Sequence, residues 1–331
     1  MKFPFSFSLK FVFRLLFPGF ILAVGFSPLL QTILDLIGVT QWSTTAFIIT
    51  VLFFGWIVVI SDMPIYMAFE GRRFWPTPIL NFFRRREEKR LESLLDNYKK
   101  ASERGDRNEI LELSVELRKF PINEDGDYYV VYPTRLGNLL ASYEEYSDRI
   151  YGMDSAFYWP RLWLTLDKHI QEDVDSQQAL TDSTLYSVAA IFTCGSLCIF
   201  YSVLELLVPS WIPYLPNTNA LITLSVSCYL SGYFLYRISL HLFAQFGEIF
   251  KAVFDVHRKR VEIQDVIRDI ANITGDQNLL NSEEKFLYKV AWRYLHNYRI
   301  KLDESGKSYT PEQLQEIIQT QKQGSSGSLP Q

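Results

Sequence analysis

The sequence predicts an all-α membrane protein with four transmembrane helices in two pairs and a helical cytosolic segment between the pairs. The chain of 331 residues is 48% hydrophobic but also 21% charged, which is typical of membrane spans combined with a soluble part. Four apolar runs come close to the roughly 20 helical residues that cross a bilayer core. We therefore expect a first transmembrane pair (1–61), a mainly helical cytosolic domain (62–184), a second pair (185–240), a helical C-terminal region (241–322) and a disordered tail (323–331).

The four predicted spans cover residues 11–30, 42–60, 185–208 and 220–236. Pro18 and Pro28 are expected to kink the first span, which membrane helices tolerate when neighbouring groups satisfy the freed carbonyls. The charged residues of the spans lie near their ends, where long side chains reach the headgroups.

The distribution of Lys and Arg predicts the orientation of the spans. Neither residue type occurs in the connections 31–41 and 209–219, whereas the N-terminal flank and the segments that follow the second and fourth spans are basic. Because basic flanks stay in the cytosol, both termini and the middle segment are predicted to be cytosolic.

Small residues recur every four positions on the third and fourth spans and predict that these helices pack together. Such stripes allow helix backbones to approach closely in lipid. Cys194 and Cys198 could alternatively hold a metal, but no His or carboxylate lies at their depth, so packing is favoured. The two stripes, which we expect to face each other, are Ala190, Cys194, Cys198 and Ser202 on the third span and Thr223, Ser227 and Ser231 on the fourth.

The cytosolic middle begins with an amphipathic basic stretch in which Trp75, Phe82 and Phe83 accompany Arg84–Arg86. This stretch suits an anionic leaflet, and it equally suits a simple stop-transfer flank. Helical patterns at 87–102 and 108–120 predict a helical hairpin, and residues 128–131 a short strand or extended lead-in.

Charged residues around the next helix, which Pro133 and Thr134 open, permit two interpretations. Arg135 and Arg161 could clamp an anionic ligand or partner, since guanidinium groups bind anions bidentately. Alternatively, the same arginines belong to a buried polar network behind an aromatic layer, together with Glu144, Asp148, Arg149 and Asp154.

Two segments resemble a family of bacterial four-span membrane proteins that has no assigned activity. They are YPTRLGNLLASYEEYSDRIYGMDSAFYWPRLWL (132–164) and FGEIFKAVFDVHR (246–258). The chain departs from the family pattern at Ile150, which stands between Arg149 and Tyr151. The resemblance implies the two-plus-two layout and a bacterial plasma membrane, and it transfers no site.

The last span is predicted to continue as one helix from Ala220 to Thr274, because no strong helix breaker intervenes before Gly275. A further helix is predicted for residues 281–302.

No catalytic or cofactor motif is present, so the sequence predicts neither an enzyme nor a cofactor. The four histidines are scattered, and His241 and His257 lie too far apart on one helix to share a metal. A net charge of −4 gives no support for nucleic acid as a partner.

Two functional hypotheses remain. The first is a non-enzymatic membrane protein whose helical cytosolic module assembles with itself, as a homo-oligomer, or binds a cytosolic protein. The second is a homo-oligomeric ion channel with a hydrophobic gate in the second span, where Phe47 and Phe54 would line the pore. The span layout resembles bestrophin-type anion channels, although no bestrophin motif is present.

Overall fold

The computed structural model describes residues 12–38, 43–123, 126–209 and 211–304, with the backbone alone for 297–304. These residues form twelve α-helices and contain no β-strand. The all-α prediction is therefore confirmed for the described part of the chain, and the predicted disordered tail lies outside it.

Three helical stretches are long and apolar enough to cross a membrane. They are a π-helical turn (Val12–Leu16) with α1 (Phe17–Leu36), α9 (Lys168–Leu207) and α10 (Thr218–His257). A fourth candidate consists of α2 (Thr44–Ile60) and α3 (Asp62–Glu70), which are bent by 59° relative to each other. The structure thus has three to four candidate spans where the sequence predicts four.

The chain divides into two compact units. The first contains the described residues of Met1–Pro76 and Glu172–Phe246, and the second those of Thr77–Gln171 and Gly247–Gln331. Two of the unit boundaries fall inside α9 and α10.

Glycine allows α1 and α2 to approach closely within the first unit. A Cβ on Gly19 would lie 2.3 Å from the carbonyl oxygen of Val51, and one on Gly55 would lie 2.3 Å from that of Leu15. Because these obstacles are backbone atoms, no larger residue fits at either position without separating the helices. Beside this contact, Leu22, Val58 and Tyr186 belong to one buried apolar cluster that joins α1, α2 and α9.

The second unit begins with a helical hairpin, as predicted, made by α4 (Thr77–Arg104) and α5 (Arg107–Leu117). Asp106 caps α5 by accepting hydrogen bonds from two backbone N–H groups. The extended segment after the hairpin forms a single antiparallel bridge between Ile122 and Tyr129 rather than a strand.

Three short helices follow: α6 (Arg135–Glu144), α7 (Tyr146–Tyr151) and α8 (Ser155–Thr165). Thr134 caps α6, and Asp154 caps α8. Tyr158 is fully buried, and its hydroxyl donates a hydrogen bond of 2.6 Å to the carbonyl oxygen of Tyr288.

The prediction of one helix from Ala220 to Thr274 is wrong. α10 ends at His257, a 3-10 turn covers Arg258–Arg260, and a separate helix α11 spans Gln264–Thr274. Arg260 explains the turn, since its guanidinium donates to the carbonyl oxygen of Thr165 at 3.0 Å and to the Asp167 carboxylate at 2.9 Å. A second 3-10 turn (Gln277–Asn281) leads into α12 (Glu284–Glu304), close to the helix predicted for 281–302.

Candidate functional site

A cavity of about 380 Å³ in the second unit is a candidate site. Three separate parts of the chain build its wall. They contribute Arg118, Phe120 and Ile122 after α5; Ser142, Tyr146 and Arg149 from α6 and α7; and Glu248, Lys251, Ala252 and Asp255 from α10.

Local packing holds these three parts in place. Phe120 is buried in a cluster with Leu91 and Leu117, which fixes the segment that leaves α5. Gly247 lets α10 approach α6, since a Cβ there would lie 2.6 Å from the ring of Tyr143. Tyr143 is buried and its ring centroid lies 5.4 Å from that of Phe250. The cavity therefore lies beside a rigid aromatic contact between α6 and α10.

The cavity wall carries more positive charge than its own carboxylates neutralise. Within the described part of the chain, the guanidinium groups of Arg118 and Arg149 make neither an ion pair nor a hydrogen bond. Lys251 pairs with Glu248 at 3.0 Å, but the Glu248 side chain is 71% exposed while that of Lys251 is only 16% exposed. An exposed partner screens a charge weakly, so the wall favours an anion.

Asp255 is already engaged by the protein. One of its carboxylate oxygens accepts hydrogen bonds from the hydroxyls of Tyr146 at 3.0 Å and Tyr151 at 2.8 Å. Burial, followed by the bond to Asp255, raises the pKa of Tyr146 far above its ordinary value, so this hydroxyl stays a donor at neutral pH. Arg258 lies over the Tyr151 ring with its guanidinium carbon 4.3 Å from the centroid. Asp255 is thus a fixed part of the wall.

A second polar cluster lies at the ends of the candidate spans in the first unit. Asp182 has a nearly buried side chain, 4% exposed, that pairs with Arg14 and accepts a hydrogen bond of 2.5 Å from the Tyr66 hydroxyl. Close by in the same unit, the Tyr186 hydroxyl donates to Asp62 at 2.6 Å. These bonds connect the π-helical turn before α1, α3 and α9, so the cluster joins three elements of the first unit.

No family model, curated protein or solved structure matches this chain. The resemblance of segments 132–164 and 246–258 to a bacterial membrane-protein family therefore stays a prediction, and the site has to be interpreted from its own geometry.

The two arginines of the predicted clamp have separate surroundings. Arg135 lies 3.8 Å from the buried carboxylate of Glu87, which Arg90 also contacts at 3.2 Å. Arg161 donates to the carbonyl oxygen of Phe157 at 2.6 Å, and its guanidinium lies 3.6 Å from the centroid of the same residue's ring. Neither is among the residues that line this cavity in the described chain, and the clamp stays a prediction.

A buried polar network of the second unit is centred on the Glu87 carboxylate. The Glu87 carboxylate is contacted by the guanidinium groups of Arg90 and Arg135. The Asn138 amide lies 3.4 Å from the same carboxylate. Asp154, a member of the network predicted from the sequence, accepts a hydrogen bond from the backbone N–H of Phe157 at the start of α8. Arg149, another member of the predicted network, faces the cavity.

The two small-residue stripes do not face each other in the structure. Ala190, Cys194, Cys198 and Ser202 are all buried. The Cys194 thiol lies 3.2 Å from the carbonyl oxygen of Ile21, so this stripe packs on α1 as well as on α10, where Cys228 and Leu221 join its apolar clusters. The contact face of α10 is shifted and includes Ser225, whose hydroxyl donates to the carbonyl oxygen of Gly195 at 2.9 Å. The predicted stripe of the fourth span, Thr223, Ser227 and Ser231, is exposed.

The two predicted pore-lining residues contact the first span within one chain. Phe54 stacks on Phe26 with the ring centroids 4.9 Å apart, and Phe47 meets Phe20 edge to face at 6.0 Å. The exposed aromatics of α2 are Phe53 and Trp56 instead. The channel hypothesis gains no support from these positions and stays a prediction.

Sequence reasoning did not single out Arg118, Lys251 or Asp255. Arg118 lies far from the other two in the chain, and each looks like an ordinary charged residue near a helix end. The only signal in the sequence is that Lys251 and Asp255 are four residues apart on a helix, which places them on one face. Among the described residues, no three His, Cys, Asp or Glu side chains converge as metal ligands would.

Proposed function

We propose that the protein is a non-enzymatic, multi-pass membrane anchor whose second unit binds an acidic group of a cytosolic protein partner. In this proposal, α2, with α3 bent at its cytosolic end, forms the second of four spans of a bacterial plasma-membrane protein, and both termini lie in the cytosol. The basic flanks of the spans support this orientation.

One observation carries the binding proposal: Arg118 and Arg149 line the cavity of the second unit without a protein partner among the described residues. Guanidinium groups that face a concave surface are well suited to bidentate recognition of carboxylate or phosphate. Phe120 and Ile122 add an apolar portion of wall, which favours a group that combines an anion with an apolar neighbour.

The proposal is tested with the full chain in its native membrane. A photo-crosslinking amino acid (p-benzoylphenylalanine) replaces Ser142, which lines the cavity, and irradiation is followed by mass spectrometry of the adducts. We expect a protein adduct whose yield falls at least about tenfold in the R118Q/R149Q double variant, since charge-assisted bidentate bonds are the strong ones.

The matched control is Arg107→Gln together with Lys99→Gln. It removes two exposed positive charges of the same unit that lie outside the cavity wall. An adduct that survives R118Q/R149Q, or that disappears equally in the control, would contradict recognition in the cavity. If the only adducts join two copies of this chain, the partner in the cavity is a second copy of the chain and not another cytosolic protein.

A further inference from the structure

The first four turns of α4 carry a strongly basic and partly apolar face that the fold leaves uncovered. At 100° per residue, Ile79, Phe82, Arg85, Arg86 and Lys89 fall within an arc of about 120°. All five side chains are exposed, including Phe82 at 66% and Ile79 at 47%. We call this set the basic face of α4.

The basic face has no role in holding the second unit together. The core side of α4 is formed by other residues, among them the buried Glu87, Leu91 and Ala101. Among the described residues, Arg85, Arg86 and Lys89 make neither an ion pair nor a side-chain hydrogen bond.

Acidic residues are missing from the same arc over these turns. The first carboxylate on it belongs to Asp96, which already pairs with Lys100 at 2.6 Å. The face therefore offers three cations and two large apolar side chains to an outside surface.

We propose that the basic face of α4 lies on an anionic lipid surface. The presence of both cations and large apolar side chains favours a lipid surface over other binding partners. The apolar side chains enter the acyl boundary while the cations beside them bind the anionic headgroups. An acidic protein or nucleic acid would use the three cations but would leave Ile79 and Phe82 in water.

The covalent chain supports this occupant. Only six residues separate Glu70, the end of α3, from Thr77. Seven Cα-to-Cα steps of at most about 3.6 Å each limit the reach of this linker to about 25 Å. The inference rests on the proposed span of α2, with α3 at its cytosolic end, but it is independent of the cavity and its partner.

The test uses the purified full chain in nanodiscs, with no partner present. p-Benzoylphenylalanine replaces Phe82 in one sample and, as the positional control, Leu95 in another; Leu95 is an exposed residue of α4 outside the arc. Nanodiscs of phosphatidylcholine alone are compared with nanodiscs that contain phosphatidylglycerol. Lipid adducts are then counted by mass spectrometry.

We expect lipid adducts at position 82, with at least about a fivefold excess over position 95 and a clear preference for phosphatidylglycerol. The double variant R85Q/R86Q should reduce the phosphatidylglycerol adducts by about tenfold or more, because each cation near the surface adds to the attraction. The variant K99Q/R107Q removes the same number of charges elsewhere and should leave them unchanged.

Equal yields at positions 82 and 95, or adducts at 82 with protein rather than lipid, would overturn the proposal. Equal adducts in the two lipid compositions would also overturn it, because the anionic surface would then play no part. If the lipid adducts form but no adducts form at position 142 in native membranes, the lipid contact of α4 is supported and the proposed partner site is contradicted.

Discussion

Asp182 is the residue on which the polar contacts of the first unit depend most. Its side chain is 4% exposed and pairs with Arg14, and the Tyr66 hydroxyl donates to it at 2.5 Å. Removing the Asp182 carboxylate would leave the half-buried Arg14 guanidinium with only Asp175, at 4.0 Å, as a counter-charge.

Asp182→Asn should therefore lower the free energy of unfolding of the full chain by about 2–3 kcal/mol, the upper range for loss of a hydrogen bond between charged groups. Chemical denaturation in a mild detergent measures this. The double variant R14Q/D182N should recover a large part of the loss, because it removes both charges together.

The matched single change is Asp175→Asn. Asp175 also faces Arg14, but at 4.0 Å and with a side chain that is 42% exposed, so the loss should stay below about 1 kcal/mol. If Asp175→Asn and Asp182→Asn lower the free energy of unfolding equally, the burial of Asp182 does not determine how much it stabilises the fold.

Tyr158 makes the second unit sensitive to high pH. Burial, and then the neighbouring Tyr288, raise the pKa of Tyr158 far above its ordinary value, and burial raises the pKa of Tyr288 to about 12. In the unfolded chain a tyrosine titrates near pH 10, so these groups stabilise the fold fully below about pH 10 and progressively less above it.

Tyr158→Phe removes a buried hydrogen bond to the carbonyl oxygen of Tyr288 and should cost about 1–3 kcal/mol at neutral pH. Above about pH 10, the free energy of unfolding should fall less steeply for the variant than for the unsubstituted chain, by up to about 1.4 kcal/mol per pH unit. Denaturation curves from about pH 8 to about pH 11.5 measure both effects. Parallel slopes would mean that Tyr158 does not titrate with unfolding.

At the scale of elements, local signals in the sequence predict helix starts better than helix ends. Asp106 and Thr134 cap α5 and α6 close to the positions that the patterns indicate. The end of α10 has no such signal, because neither Gly nor Pro occurs between His257 and Gln264. The helix stops where Arg258 reaches Glu284 and Arg260 reaches Asp167, and contacts this distant in sequence are not readable from a local pattern.

The candidate site shows the same limit. The sequence directed attention to Arg135, but the buried Glu87 lies beside its guanidinium. Arg118 became a cavity residue only because Phe120 anchors the chain after α5 and Gly247 brings α10 close to α6. Periodicity predicts which face of a helix is apolar, but not which polar side chains from distant elements meet.

Two glycines at helix ends in the second unit differ in how closely a neighbouring element packs against them. Gly152 and Gly105 both end helices with φ near +70°, at +71° and +70°. A Cβ on Gly152 would lie 2.2 Å from the carbonyl oxygen of Lys285 in α12, whereas one on Gly105 would have no atom within 4 Å. Gly152 therefore ends α7 in direct contact with α12.

Gly105→Ala should cost only the backbone strain, about 1 kcal/mol. Gly152→Ala should cost at least about 2–4 kcal/mol, because α12 must also move away. The free energy of unfolding of the two variants measures the difference. Equal losses would indicate that α12 shifts without resistance.

At the scale of the whole molecule, the number of spans depends on α2 and α3. The 17 residues of α2 would cover about 26 Å at 1.5 Å per residue, slightly less than a bilayer core of roughly 30 Å. No charged residue interrupts α2, and the bilayer accommodates a short helix by thinning. A full crossing by α2, with α3 bent by 59° at the headgroup level, is therefore physically reasonable.

Labelling with a membrane-impermeant maleimide distinguishes four spans from three. Glu112→Cys lies on exposed α5, and Tyr214→Cys lies in the connection between α9 and α10. Four spans place Glu112 on the same side of the membrane as the N-terminus and Tyr214 on the opposite side, whereas three spans reverse both assignments. A protease-cleavable N-terminal tag marks the reference side.

We expect Tyr214→Cys to react in intact cells and Glu112→Cys to react only after the membrane is opened, because the basic flanks predict that the second unit is cytosolic. The unsubstituted chain controls for its own thiols, of which Cys194 and Cys198 are buried and Cys228 is half-buried. Reaction of Glu112→Cys in intact cells, with the N-terminal tag protected from protease, would mean that α2 and α3 do not cross. The second unit would then lie outside the cytosol, and its cavity could not serve a cytosolic partner.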